Sequence, residues 1–137
     1  MSLAPVLARI DADLENATQR LLELLRIPSI SPNPAFDTAC KTATDWFVDQ
    51  LRGMGAEAQK HQTPGKPIVM GSFTGYANSN APYILFYGHY DVQPADPLDL
   101  WYHDPFEPAV EQTARGRVIR GRGSSDDKGQ LMTFVEA

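Results

Sequence analysis

Tyr83-Ile84-Leu85-Phe86-Tyr87 is an unbroken apolar run closed by Gly88. A strand with one wet face alternates apolar and polar residues, so a run without alternation is expected to be a central strand covered on both faces. Loops at the C-terminal ends of such strands are where active sites of α/β folds collect. The residues that follow this run therefore carry most of the functional interest.

Helices to cover such a strand are legible upstream. From Val6, the residues Ile10, Leu14, Ala17, Leu21 and Leu24 recur every three or four positions, which predicts a helix ending near Arg26, ahead of Pro28. Asn33 before Pro34 reads as an N-cap with proline at the first helical position. The helix it opens has Phe36, Cys40, Ala43, Phe47, Leu51 and Met54 as its buried stripe, with Gly53 and Gly55 suited to its C-terminal cap. Short segments at 57–61 and 67–73 read as strands, separated by Gly, Pro and Asn punctuation. The Pro- and Asp-rich stretch 93–115 reads as a long ordered loop anchored by Trp101 and Phe106. A short strand at 117–119, a bend at Gly121-Arg122-Gly123 and a helix from Asp127, still running at Ala137, complete the chain. The expected class is α/β, a mixed and partly parallel sheet sandwiched by helices. No repeat or linker interrupts residues 1–137, which read as one domain or part of one.

Composition narrows the function classes. A net charge of -5 with a pI near 5.0 argues against a general nucleic-acid or anionic-membrane binder, since both need a basic surface. Cys40 is the sole cysteine, so neither an intrachain disulfide nor a cysteine zinc cluster can form. That usage points to a reducing, cytoplasmic setting, and any metal must bind through His, Asp or Glu. The N-terminus lacks the basic and apolar regions of a signal peptide, and no uncharged run approaches the length of a bilayer span.

Two motifs carry chemistry. In Gly88-His89-Tyr90-Asp91-Val92-Gln93-Pro94, an extended backbone points His89 and Asp91 the same way. One imidazole nitrogen can then bind a metal while Asp91, the candidate catalytic carboxylate, accepts a hydrogen bond from the other or polarises the base of a metal-bound water. A surface His and Asp in an ordinary loop explain this short motif equally well. In Gly121-Arg122-Gly123-Ser124-Ser125-Asp126-Asp127-Lys128-Gly129, a carboxylate on a sharp turn can offer one oxygen to each of two divalent ions, and Asp126 is the candidate. Capping of the next helix by Ser125 or Asp126 is the plainer alternative. A dinucleotide fingerprint is excluded, because the third glycine is missing and the preceding strand is very short.

Taken together with Trp101 and Asp104-Pro105-Phe106 between them, the two motifs resemble a family of di-zinc amidohydrolases and peptidases. It includes acetylornithine deacetylase, succinyl-diaminopimelate desuccinylase, glutamate carboxypeptidase and carnosinase-type dipeptidases, and the wording from Tyr87 to Pro94 looks most like the dipeptidase branch. The resemblance implies that His89 binds one metal, Asp126 bridges both, and Asp91 sits behind His89. It assigns structural roles to Lys128 and Gly129 and implies a cis peptide bond between Asp126 and Asp127. The implied cofactors are two divalent ions, zinc foremost, with manganese or cobalt compatible with the same ligands. The implied substrates are small peptides or N-acyl amino acids, and the implied dimer forms through a domain inserted further along.

The general-base glutamate of that family lies in a Glu-Glu pair well downstream of the Asp-x-Lys-Gly turn, and neither it nor the later ligands occur in these 137 residues. Glu136 comes too soon and reads as a solvated or packing residue, while His61 and His103 read as partly exposed polar residues. The leading expectation is thus the N-terminal portion of a metallopeptidase catalytic domain. The competing one is a non-catalytic metal-binding or regulatory fragment acting through a partner.

Overall fold

The computed structural model describes residues 3–73 and 82–137. Their contacts divide into two compact units, Ile27–Pro94 and Met1–Arg26 with Ala95–Ala137.

In the Ile27–Pro94 unit, Asn33 performs the expected cap: its side-chain oxygen accepts from the Ala35 amide at 3.0 Å. A single 3₁₀ turn, Pro34–Phe36, leads into helix α1, Asp37–Gly53. The buried face of α1 is Cys40, Ala43, Thr44, Phe47 and Val48, while Met54 at the end of the expected stripe is exposed. The helix stops because Gly55 takes φ +90°, which lets the Gly55 amide reach Arg52 O and the Ala56 amide reach Leu51 O. This paired closure at a left-handed glycine is the Schellman arrangement. Strands β1, Glu57–His61, and β2, Ile68–Ser72, form an antiparallel hairpin with Glu57 opposite Ser72 and His61 opposite Ile68. A methyl at Gly71 would come within 3.0 Å of Leu51 Cδ1, so β2 lies as close to α1 as side-chain packing allows.

The expected central strand is a correction. Tyr83, Ile84, Leu85 and Tyr87 are 84–93% exposed, and the run pairs with no strand among the described residues. Apolar character selects a strand for burial only where neighbouring strands are at hand to cover it, and those described here are committed to their own hairpins. Parallel pairing, expected for part of the sheet, occurs among the described residues as one bridge, between Ile30 and Val92. The class is nonetheless α/β, with helices packed beside small antiparallel sheets.

In the other unit, helix α2 spans Ala4–Leu25 and α3 spans Lys128–Val135. The periodicity read from Val6 is helical as expected, yet Val6, Leu7, Ile10 and Leu14 remain exposed and burial is confined to Leu22, Leu24 and Leu25. The cause is length: α3 has eight residues, about 12 Å of helix, against about 33 Å for α2. α3 also ends at Val135 rather than continuing to Ala137. The expected loop 93–115 contains an additional strand, β3, Ala109–Thr113, which pairs antiparallel with β4, Gly116–Arg120, through a turn closed by Gly116 at φ +102°. The expected Trp101 anchor holds, its indole N–H donating to Ala95 O at 2.8 Å.

Charged pairs tie this unit together. Arg20 donates to both carboxylate oxygens of Glu136 and to Asp13, and Arg117 grips Glu15 through two bonds of 3.0 and 2.7 Å. Glu136 is therefore an ion-pair partner, more specific than a solvated or packing residue. The Asn16 amide, then Arg20, hold the Asp13 carboxyl below its ordinary value, and Arg117 does the same for Glu15. A carboxyl depressed in the folded state contributes stability above its unfolded pKa and loses it as pH falls through the folded one. Melting temperature is accordingly expected to decline as pH drops below about 4, the ordinary carboxylate range. Arg20→Met should flatten that decline, as measured by thermal melts in a pH series.

Candidate metal centre

The backbone from Tyr90 to Val92 runs beside Ser29–Ser31. The Val92 amide donates to Ser29 O at 2.9 Å, the Ser31 amide to Val92 O at 3.3 Å, and Ser29 Oγ to Tyr90 O at 2.7 Å. Pairing keeps the segment extended, so its side chains alternate. Tyr90 turns inward to stack on Phe47, with ring centroids 5.5 Å apart, and Val92 is buried. His89 and Asp91 are left half-exposed, with His89 Nδ1 3.2 Å from Asp91 Oδ1 and equally far from the Asp91 carbonyl. The predicted juxtaposition is thus present in the folded chain, although the preceding residues are not a paired strand.

Tyr90, between the two, carries no metal-ligating group that would mark it in the sequence, yet it is held by several contacts. Its hydroxyl donates to Pro67 O at 2.6 Å and lies 3.1 Å from Thr44 Oγ1, and burial pushes its phenol above the ordinary value. The outward-inward alternation of His-Tyr-Asp-Val was the available signal.

In the second motif, the Ser124 amide bonds Gly121 O at 3.2 Å and Gly123 takes φ +87°. The bend is held from outside by the Arg122 amide on Pro105 O at 2.7 Å. The Asp126-Asp127 peptide bond is cis, as is Asp96-Pro97. Asp126 is exposed. The N-cap position of α3 belongs to Asp127, whose side chain makes no capping bond. Lys128 is fully buried and its ammonium donates to Leu24 O at 3.0 Å, where the C-terminal end of α2 favours a cation.

The remaining candidates stand apart in character. His61 closes β1. His103 Nε2 lies 3.7 Å from Glu111 Oε1, and that carboxylate is gripped by Arg120 at 3.1 and 3.0 Å. Among the described residues no three His, Cys, Asp or Glu side chains gather into a metal-holding group. Each motif by itself nevertheless offers donors of a kind that suits a divalent ion: an imidazole beside a carboxylate at Nδ1 in one, and a carboxylate on a tight turn in the other.

Residues 85–137 match the family model Peptidase family M20/M25/M40. Across its full length the chain is 33% identical to the Cys-Gly metallodipeptidase dug1 of Schizosaccharomyces pombe, and over 88% of its length it is 35% identical to a succinyl-diaminopimelate desuccinylase of Nitrosospira multiformis. It spans 30% and 28% of those two relatives. Among solved structures it superposes on the dipeptidase Dug1p of Saccharomyces cerevisiae with a TM-score of 0.86 at 27% identity. Human carnosine dipeptidase 1 follows with 0.80 at 28% identity, each match covering 98% of this chain and 30% of the other. Sequence and fold thus agree that the part of the chain carrying both motifs is similar to peptidase family M20/M25/M40.

Proposed function

We propose that the whole protein is a metal-dependent hydrolase cleaving the amide bond of dipeptides or N-acyl amino acids, and that residues 1–137 are the N-terminal portion of its catalytic domain. The observation that carries this reading is the His89 Nδ1 to Asp91 carboxylate contact of 3.2 Å. It is supported by the similarity to a dipeptidase and a desuccinylase, and by the family match over residues 85–137, which contain both motifs.

With Nδ1–H directed at Asp91, the neutral tautomer carries its lone pair on Nε2, which is the nitrogen assigned to the metal. The Asp91 carboxylate raises the basicity of that nitrogen and restrains the ring. Asp126, with two oxygens on a short turn, is assigned the bridging position between two ions. Zinc suits these ligands, and manganese or cobalt would be accepted. When bound, such ions supply an activated water and polarise the scissile carbonyl. A cytoplasmic location belongs to the same proposal and is consistent with a sole cysteine, Cys40, that is buried and outside any disulfide. Among the described residues no helix is long and apolar enough to cross a membrane.

The test is a panel of dipeptides and N-acyl amino acids offered to the complete protein after chelation and again after adding back zinc, manganese or cobalt. Turnover that disappears with chelator and returns with metal is the expected result. A complete protein that hydrolyses none of them under any metal condition overturns the proposal.

A further inference from the structure

We infer that Tyr90 is a positioning residue for the metal-facing pair His89 and Asp91, an inference that rests on the function proposed above. Tyr90 is held at three separate places. Its ring stacks on Phe47 at 5.5 Å and 26°, its hydroxyl donates to Pro67 O at 2.6 Å beside Thr44 Oγ1 at 3.1 Å, and its carbonyl accepts from the buried Ser29 hydroxyl at 2.7 Å. Ring, hydroxyl and carbonyl together fix both the depth and the rotation of one residue. In an extended segment that rotation decides where the residues on either side point.

Rotation matters here because His89 and Asp91 are themselves only 40% and 39% exposed at their side chains and meet at a single imidazole nitrogen. A small twist about the strand axis would separate Nδ1 from the carboxylate and turn Nε2 away from its ligand. The hydroxyl is the part of Tyr90 that packing alone does not require, since a phenylalanine would stack on Phe47 equally well. Its presence on Pro67 O is what ties the motif to the chain just ahead of β2. Supporting groups of this kind typically change metal affinity or turnover by about 10- to 100-fold when removed.

The experiment uses the complete protein and measures zinc affinity by competition with a chromophoric chelator, with kcat and KM for a dipeptide as the second readout. Tyr90→Phe keeps the ring, and Ser29→Ala and Thr44→Val each remove one other polar contact to Tyr90. Val48→Ala, in the buried face of α1 with no polar contact to Tyr90, controls for general loss of packing. The expected result is zinc binding weaker by about 10-fold or more in Tyr90→Phe, with kcat falling and KM little changed, and a smaller shift in the same direction for Ser29→Ala and Thr44→Val. Val48→Ala should bind zinc as the parent does. A folded Tyr90→Phe with parental zinc affinity overturns the inference, and so does a Val48→Ala that weakens zinc equally. If Tyr90→Phe does not fold, Ser29→Ala and Thr44→Val decide by the same criterion. A parent protein that binds no zinc and hydrolyses nothing removes the proposed function itself, a failure recognisable before any variant is compared.

Discussion

Asp126→Ala in the complete protein is expected to lower kcat/KM for amide hydrolysis by more than about 100-fold, beyond the usual range for residues that only support a ligand. The proposed role explains the size, because a bridging carboxylate would serve two ions at once. Fold stability should hardly change. Asp126 is exposed, and the N-cap position of α3 belongs to the next residue, so the loss should not exceed about 1 kcal/mol, the net worth of a single exposed polar interaction. The pair of measurements separates chemistry from folding: turnover with added metal on one side, a thermal melt of the chelated protein on the other. Full turnover in Asp126→Ala would remove the bridging assignment. A large drop in melting temperature without metal would mean that Asp126 serves the turn rather than the ions.

Gly129→Ala is the substitution expected to damage the fold most. A methyl placed there would overlap the Ser124 carbonyl oxygen outright and stand 3.0 Å from the Ser124 carbonyl carbon. Both are backbone atoms. They cannot swing aside as the end of a side chain can, and the Gly129 amide is bonded to Gly123 O at 3.3 Å, drawing the same turn together. Relief would require α3 to move from the bend that carries Asp126. The cost should reach or exceed about 3 kcal/mol, the upper end for overpacking, and show as a lower urea midpoint. Gly53→Ala is the contrast. It lies in the last turn of α1 with nothing within 4 Å of the added methyl, so it should be neutral or stabilising by about 0.5–1 kcal/mol. If both alanines prove equally mild, the close approach at Gly129 is not a constraint on the turn.

How far these features could be read in advance depended on the range of the interactions behind them. Asn33 announced its cap and Gly55 its helix stop, because each acts on backbone groups a few residues away. The same holds for Gly121 and Gly123 in the bend before Asp126, and for the outward pairing of His89 with Asp91, which needs only an extended backbone. β3 was hidden because Ala109, Val110, Glu111, Gln112 and Thr113 alternate too weakly to stand out until the turn at Gly116 brings β4 alongside.

The order and chemistry of the two motifs, and with them the family resemblance, were therefore legible in sequence alone, since ligand type and short-range spacing are properties of the chain itself. Tertiary structure decided what is covered and what is held. Five consecutive apolar residues at 83–87 do not make a buried strand without neighbours to pair with them, and the apolar stripe of α2 is covered only where α3 reaches it. Tyr90 gained its place from Ser29, Thr44, Phe47 and Pro67, all at least 23 residues away in the chain. Burial and long-range hydrogen bonds depend on which surfaces meet, and a linear pattern records only which surfaces are able to.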